Sequence, residues 1–297
     1  MYSQLTIASL AGLGGMLGWG LADFFAKKTI DKIGDIETLF WSQFIGIFPL
    51  LLLFLFNPVV PQLTNLGRWY LVFLGIYSGL SYIPTYKAFG KGKVSLLSPI
   101  FASYAVIVAI LSAFLFGEVI PGGRVIAFVV VFIGVILING DPRDIVSSLR
   151  DGVKGGVEKI QGLKEILLAV CLYSVWLVAL DQFVSGKNWV PLLLVIRIFS
   201  AISLWIYAKI KGRSLVFKYK ELWKFVILIG VFDVAAFGFV SYGFSATPYA
   251  SVVAMLSGAF SLPTIVLART FLKERSTRVQ ALGSFVVIVG IMLLSLL

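Results

Sequence analysis

The stretch FVILIGVFDVAAFGFVSYGF, from Phe225 to Phe244, carries a single charged residue, Asp233, near its middle. A helix needs about 20 apolar residues to cross the hydrocarbon core of a bilayer, so this stretch predicts a membrane-spanning helix. A carboxylate at the centre of such a helix costs about 2.5–3.5 kcal/mol to insert. We therefore expect Asp233 to face a partner charge, a water-filled cavity, or both.

The composition of the whole chain agrees with a lipid environment. Of its 297 residues, 59% are hydrophobic and 13% are charged, and the mean hydropathy is +0.99. Soluble domains carry about 25% charged residues, roughly twice as many. The net charge is +11, but no basic stretch interleaved with aromatic residues occurs in a soluble segment. This excludes a nucleic-acid partner and indicates an integral membrane protein whose partners are the lipid bilayer and a small molecule.

Ten segments of the chain are long and apolar enough to be spanning helices, which predicts an all-α membrane protein with ten transmembrane helices. We number these segments 1 to 10. They cover residues 5–26, 36–56, 66–88, 94–116, 122–139, 165–184, 189–208, 222–245, 249–270 and 278–297.

The two halves of the chain repeat each other at an offset of 156 residues. At this offset residues 132–137 (FIGVIL) lie over residues 288–293 (IVGIML), and Glu118 lies over Glu274. Each half holds five segments, an odd number, so the second half must cross the membrane inverted relative to the first. Inverted repeats are typical of alternating-access transporters, whose binding site lies between the repeats at the bilayer midplane.

Three regions follow from this repeat. The first five-helix repeat is predicted at 1–139 and the second at 165–297, around a central cavity. The polar, basic region 140–164 joins them, either as an amphipathic helix in the membrane interface or as a mobile connector.

The loop charges predict an orientation. Twenty-one of the 25 Lys and Arg residues lie in the loops after segments 1, 3, 5, 7 and 9, and three lie on the other face. The positive-inside rule places the basic face in the cytoplasm and both termini outside, in a multi-pass protein of the plasma membrane.

Arg197 lies near the centre of segment 7 and Asp233 near the centre of segment 8. Opposite charges at matching depth on consecutive antiparallel helices can form a buried pair. In one interpretation the pair only fixes the packing of the two helices. In the other, one or both side chains face the central cavity, where Asp233 exchanges a proton or binds a substrate amine and Arg197 binds a carboxylate. Both interpretations stay open at this point.

Other residues predict the walls and hinges of a cavity. Proline removes a helical hydrogen bond, so Pro99 in segment 4 and Pro263 in segment 9 are expected to act as hinges beside it. Aromatic and hydroxyl side chains near mid-helix are candidates for substrate contacts together with Asp233. They are Trp19, Tyr77, Ser98, Tyr104, Trp176, Ser257 and Phe260.

Four further acidic residues are expected to be structural. Asp23 and Asp181 stand near the ends of segments 1 and 6, where a carboxylate reaches water or a nearby lysine, so we expect them at the membrane interface. Glu118 and Glu274 end segments 4 and 9 just before tight turns, and we interpret them as caps or hinge contacts.

Several kinds of catalysis are excluded. The chain has one cysteine, Cys171, and no histidine, which excludes an internal disulfide, a Cys/His zinc site and a His-dependent catalytic triad. Neither a Gly-x-Gly-Asp signature nor a GxxxxGK[ST] phosphate-binding loop occurs. We therefore predict no enzyme activity, cofactor or metal. A channel or a non-transporting membrane scaffold is the alternative, and an intramembrane enzyme is the least favoured.

Short motifs along the whole chain resemble the drug/metabolite transporter superfamily, specifically its ten-helix EamA-type permeases. In the first half they are WG at 19–20, YKAF at 86–89, SPIF at 98–101, FGE at 116–118 and GVIL at 134–137. In the second half they are KER at 273–275 and GIML at 290–293. Two features depart from the family pattern: Ala254-Met255 aligns with the Ser-Pro of segment 4, and relatives are often drawn with cytoplasmic termini.

The resemblance implies a basket in which segments 1, 3, 4, 6, 8 and 9 surround a central cavity and segments 5 and 10 pack peripherally. It places Asp233 among the cavity-lining helices and Arg197 further from the centre. It also implies a secondary active transporter that moves amino acids, related metabolites or drugs, commonly outward and linked to protons. The sequence leaves open whether the protein is a monomer or a homodimer.

Overall fold

The structure is a computed structural model, and it describes residues 3–56, 58–92, 94–102, 104–117, 121–139, 161–217, 219–271 and 278–296. Every regular element within these ranges is helical. Apart from residues 161–164, the predicted connector between the repeats lies outside the described residues, as do Glu118 and Glu274.

The described ranges contain twelve α-helices, and a short 3₁₀ helix at Lys220–Leu222 leads into the ninth. The α-helices are α1 (Gln4–Ile33), α2 (Asp35–Phe56), α3 (Asn65–Lys91), α4 (Val94–Ala102), α5 (Tyr104–Phe116), α6 (Gly122–Asn139), α7 (Leu163–Val184), α8 (Trp189–Ile210), α9 (Trp223–Ala246), α10 (Ala250–Gly258), α11 (Ser261–Phe271) and α12 (Arg278–Leu296).

Six spans within the described ranges are long and apolar enough to cross a membrane, which agrees with a multi-pass protein. The total of ten spanning helices stays a prediction. Segment 4 corresponds to α4 and α5, and segment 9 to α10 and α11. The six spans are Gln4–Ile33, Asp35–Phe56, Leu163–Val184, Trp189–Ile210, Lys220–Ala246 and Ala250–Leu267.

Helix directions agree with inverted repeats. Helices α2 and α8 correspond to each other in the repeat and pack side by side. At one end of this pair, Asn188 Nδ2 before α8 donates to the carbonyl of Val59 after α2, at 2.7 Å. At the other end, Arg213 after α8 pairs with Asp35 at the start of α2, at 3.0 Å. The start of each helix therefore lies beside the end of the other, so the two corresponding helices run antiparallel.

The remaining helix contacts also come in repeat-related pairs. Helix α1 packs along α9, and α7 packs along α3, which is the same contact with the repeats exchanged. Likewise α2 packs on α9 while α8 packs on α3, and α1 packs on α10 and α11 while α7 packs on α4 and α5. Helices α6 and α12 pack on each other at the periphery, as the resemblance implied.

The contact between α1 and α9 is close because α1 carries glycines on that face. A Cβ atom built on Gly18 would lie 2.7 Å from the carbonyl oxygen of Phe232 and 2.8 Å from the Cβ of Ala236. A Cβ on Gly20 would overlap Pro263 of α11. Small residues at such positions let backbones in a membrane approach and gain packing contacts that larger residues prevent.

The ends of the bundle on the basic face carry ion pairs between the two repeats. Arg213 pairs with Asp35 at 3.0 Å and with Glu37 at 3.1 Å, and Lys91 of α3 pairs with Glu165 of α7. Hydrogen bonding to Glu37 raises the pKa of the Arg213 guanidinium above its ordinary value, so Arg213 stays charged in this contact. These pairs hold the repeats together on one face of the membrane.

Candidate functional site

A small cavity lies where the helices of the two repeats meet. Its volume is about 20 Å³, which is room for about one water molecule. The helices that line it belong to segments 1, 3, 4, 6, 8 and 9, the six that the resemblance implied. The lining residues are Trp19, Ala22, Asp23, Tyr82, Tyr86, Phe101, Tyr104, Tyr173, Asp233 and Phe260.

The two central charges predicted from the sequence form an ion pair. Arg197 Nη1 lies 2.7 Å from Asp233 Oδ2, and the two side chains are 3% and 9% exposed. Asp233 lines the cavity, whereas Arg197 is not among the lining residues. Both interpretations made from the sequence therefore describe part of the arrangement, because the pair joins α8 to α9 and its acidic member also reaches the cavity.

Arg197 is held from a second side by groups that the sequence analysis did not select. Its Nη1 also donates to Gln43 Oε1 of α2, and Ser200 Oγ donates to the same oxygen at 3.2 Å. The guanidinium lies over the ring of Phe237, 4.6 Å from the ring centre, a cation–π contact. Gln43 is a polar residue inside an apolar segment, and this feature of the sequence could have indicated a buried polar contact such as the one with Arg197.

Asp23 lies in the cavity, which differs from the expectation that it would sit at the membrane interface. Helix α1 continues to Ile33, seven residues beyond the predicted end of segment 1, so Asp23 is not at a helix end. It is half-buried, lines the cavity one helical turn from Trp19, and accepts a hydrogen bond from Ser98 Oγ at 3.2 Å. No Lys or Arg in the described ranges lies within 4.0 Å of its carboxylate, in contrast to Asp233.

Aromatic rings form most of the cavity wall. Tyr104 and Tyr173 meet edge to face with ring centres 4.6 Å apart, and Tyr173 meets Tyr82 at 5.3 Å. Trp19 lies among them, with its ring centre 6.2 Å from Tyr104 and 6.4 Å from Phe260. Four aromatic residues of the wall were not among the predicted site residues: Tyr82, Tyr86, Phe101 and Tyr173. The spacing of Tyr82 and Tyr86 by one turn on a single helix face was a signal for two of them.

Three polar atoms of this wall are buried with no hydrogen-bond partner within 3.5 Å, although each has a polar group nearby: Asp233 for Trp19, Ser257 for Tyr104 and Tyr82 for Tyr173. They are Trp19 Nε1, Tyr104 Oη and Tyr173 Oη, on side chains that are at most 5% exposed. Buried polar groups in proteins are nearly always hydrogen-bonded, and each exception calls for an explanation. A bound polar molecule would provide partners for these atoms.

The other predicted contact residues lie outside the lining. Tyr77 donates to the carbonyl of Leu172, Trp176 donates to that of Leu74, and Ser257 donates to that of Ala254. These hydrogen bonds are made within the helix bundle. Among the predicted substrate contacts, Trp19, Tyr104, Phe260 and Asp233 line the cavity, and Ser98 reaches it through Asp23.

The two predicted hinge prolines lie in different settings. Pro99 falls within the backbone range of α4. Pro263 lies in the first turn of α11, after the helical path is interrupted at Ala259 and Phe260. Proline is tolerated in a first turn, where its missing N–H would have no partner within the helix. The interruption therefore precedes Pro263, and the ring of Phe260 enters the cavity at that point.

A larger, open cavity of about 430 Å³ lies between the ends of α5, α7 and α9 and the start of α10. Buried Asp181 lines it and accepts a hydrogen bond from Gln182 Nε2 at 3.3 Å. These helix ends belong to the face opposite the basic loops. No group of three or more Asp, Glu, Cys or His residues that could hold a metal ion occurs among the described residues.

Repeated apolar helices around a small buried cavity with two carboxylates define a polytopic membrane transporter. The chain belongs to the EamA-like transporter family, whose model matches residues 6–140 and 161–296. This match covers both predicted repeats and leaves out most of the predicted connector. No curated protein matches the chain.

Solved structures show the same fold. Twenty-nine chains match, and one of them, described only as "Crystal structure of protein", has a TM-score of 0.71 over 97% of this chain and 98% of that chain. The two sequences are 16% identical, so the similarity shows the fold alone.

Proposed function

We propose that this protein is a secondary active transporter that moves small organic metabolites, such as amino acids or related compounds, out of the cell by alternating access. The observation that carries the proposal is the position of two carboxylates. Asp23 comes from the first repeat and Asp233 from the second, and both line one cavity at the junction of the repeats. A site shared between inverted repeats is exposed to each side in turn when the repeats rock.

The surroundings of the cavity support this mechanism. A volume of about 20 Å³ does not admit a metabolite, so the cavity must widen for binding and release. On the basic face the repeats are joined by ion pairs of Arg213 and Lys91, whereas the opposite face has the open cavity beside Asp181. Breaking one set of contacts while forming another is how such a site changes sides.

We further propose that transport is linked to protons and that Asp23 binds the coupling proton. The sequence alone favoured Asp233 for this role. In the folded chain the charge of Asp233 is balanced by Arg197, and no described cation balances Asp23. A carboxylate in the membrane that lacks a cation must take up a proton, a positively charged substrate, or contact with water.

The proposal includes an orientation of the chain in the membrane. The basic face lies in the cytoplasm and both termini lie outside the plasma membrane, in accordance with the positive-inside rule. The ion pairs of Arg213 then close the cytoplasmic side.

Flux into proteoliposomes tests the function. The purified full chain is reconstituted and offered radiolabelled amino acids, nucleosides, sugars and organic cations, with and without an imposed pH gradient. We expect saturable flux that the gradient accelerates, and accelerated exchange when unlabelled substrate is present on the far side. A channel would give conductance without this counterflow, and a scaffold would give neither, so either result would refute the proposal.

A further inference from the structure

We infer that the substrate of this site is an organic cation, whose positive charge pairs with Asp23 inside a wall of aromatic rings. The inference rests on the proposed transport function and narrows its substrates, because it assigns organic cations such as amines, rather than zwitterionic amino acids, to the same cavity.

The first argument is the charge balance of the cavity. Among the described residues that line it, Asp23 and Asp233 are the only charged ones. Arg197 lies 2.7 Å from Asp233 and compensates that carboxylate, while Asp23 has a single hydrogen bond from Ser98. Ionised, the site therefore carries one uncompensated negative charge. An ionised carboxylate without a counter-ion in an apolar cavity is costly, so a ligand with one positive charge is the complementary partner.

The second argument is the chemistry of the wall. Seven of the ten lining residues are aromatic: Trp19, Tyr82, Tyr86, Phe101, Tyr104, Tyr173 and Phe260. The faces of aromatic rings attract cations, and cages of such rings are a common way to bind ammonium groups. The same chain already uses this attraction next to the cavity, where Arg197 lies over Phe237.

The third argument comes from the unpartnered polar atoms. Tyr104 Oη and Tyr173 Oη are buried and have no hydrogen-bond partner. Each can accept a hydrogen bond from an ammonium group in the cavity that Asp23 also lines. Trp19 Nε1, the third such atom, can only donate, and the carboxylate of Asp233 is the acceptor near it.

A zwitterion or an anion fits the site less well. A substrate carboxylate would need a cation in the wall, and no Lys or Arg is among the lining residues. Arg197 contacts Asp233 but does not line the cavity, and its Nη1 is engaged by Asp233 and Gln43 while the guanidinium lies over the ring of Phe237. Its Nη2 has no hydrogen-bond partner. Releasing Arg197 would leave Asp233 without its partner.

A series of ligands with one shape and different charge tests the inference. Binding to the detergent-purified full chain is measured by calorimetry for 2-phenylethylammonium, phenylalanine, 3-phenylpropionate and 2-phenylethanol, with tetramethylammonium as a smaller cation. We expect the cation of the matched series to bind at least tenfold more tightly than its zwitterionic, anionic and neutral counterparts. Tighter binding of any of these counterparts, or no binding of either cation, would overturn the inference.

Substitutions of single acidic residues test whether the carboxylate of Asp23 binds the cation. Asp23→Asn is expected to weaken cation binding tenfold or more, and Asp23→Glu is expected to retain part of the affinity. Asp181→Asn is the matched control, because Asp181 stands near the corresponding position of the second repeat but faces the other cavity. Unchanged affinity in Asp23→Asn counts against the inference. If that variant does not fold, the comparison of Asp23→Glu with the parent protein and the ligand series decide the matter.

The two proposals fail in different ways. Cation binding without counterflow in proteoliposomes would leave the inference standing and refute transport. Counterflow of a neutral or anionic metabolite that cations do not inhibit would leave transport standing and refute the substrate class.

Discussion

The guanidinium of Arg197 lies 2.7 Å from the carboxylate of Asp233, and both side chains are buried between α2, α8 and α9. This pair joins consecutive helices of the second repeat to a helix of the first, because Arg197 also donates to Gln43. Arg197 compensates the charge of Asp233, one of the two carboxylates of the cavity. The other carboxylate, Asp23, has no Lys or Arg partner among the described residues. The carboxylate of Asp233 thus has a partner in the packing of the helices, and we propose the coupling role for Asp23.

Removal of one member of the pair should destabilise the protein. Asp233→Asn leaves a buried guanidinium without its counter-ion, which typically costs about 3–5 kcal/mol. We expect a clearly lower midpoint of thermal unfolding in detergent. The double change Arg197→Met with Asp233→Leu should recover much of the loss, because no charge is then left unpaired. Glu165→Gln, at a partly exposed pair, is the control and should cost at most about 1 kcal/mol; an equal loss in that control would contradict the prediction.

Proton coupling should depend on Asp23. In Asp23→Asn the cavity cannot take up a proton at this position. At a substrate concentration raised to offset the weaker cation binding of this variant, flux should continue down a substrate gradient but no longer accelerate when a pH gradient is imposed. The measurement is uptake into proteoliposomes with and without the gradient. The titratable groups that line the cavity with Asp23 are Asp233, Tyr82, Tyr86, Tyr104 and Tyr173. Gradient-driven flux at the parental rate in Asp23→Asn would move the coupling site to another group.

A methyl group added at Gly18 should push α1 away from α9. The new Cβ would stand 2.7 Å from the carbonyl oxygen of Phe232, which belongs to a helix backbone and cannot easily move. Overpacking of this kind costs about 1–3 kcal/mol, so Gly18→Ala should lower the unfolding midpoint. Gly122→Ala is the control, because a Cβ there meets nothing within 4 Å. Equal stability of the two variants would show that the close approach contributes nothing.

The orientation can be read by labelling single cysteines. Cys171→Ser removes the only native thiol. In that background, Ser185→Cys and Ser214→Cys place exposed thiols on the face opposite the basic loops and on the basic face, respectively. A membrane-impermeant maleimide added to whole cells should label position 185 at once and position 214 only after permeabilisation. The reverse pattern would place both termini in the cytoplasm.

The ion pairs of Arg213 should close the cavity on the basic face. Each exposed pair contributes about 0.2–1 kcal/mol, so Arg213→Gln, which removes two, should shift the opening equilibrium about two- to thirtyfold. A thiol at the cavity, Tyr86→Cys in the Cys171→Ser background, should then react correspondingly faster with a reagent added from that face. Lys27→Gln is the control, because Lys27 makes its contacts within the first repeat: it pairs with Asp31 of α1 and donates to the carbonyls of Phe89 and Gly92. Similar acceleration by both changes would argue against a specific gate.

The sequence predicted the framework of the fold because that framework depends on properties that are local or repeated. Apolar runs of about 20 residues mark helices in a bilayer regardless of their neighbours. The offset of 156 residues relates motifs on separate segments, and an odd number of segments per half requires inversion. The central positions of Arg197 and Asp233 followed from the same segment boundaries.

The prediction that Asp23 lies at the membrane interface was wrong for an identifiable reason. Hydropathy marks the part of a helix that lies in hydrocarbon, whereas α1 remains helical through its polar end to Ile33. A carboxylate near the end of the apolar run is therefore not at the end of the helix. Trp19 and Asp23 are one turn apart on one helix face, and this spacing could have indicated that both line the same cavity.

The sequence by itself determined that the chain is a helical membrane protein of two related halves with charges at mid-membrane. Only the tertiary structure decided which charges meet. Helical periodicity tells which side chains share a face, but the rotation of each helix and the choice of its neighbours follow from packing, such as the contact of Gly18 with α9. That packing brings Arg197 to Asp233 and leaves Asp23 facing the rings of the cavity.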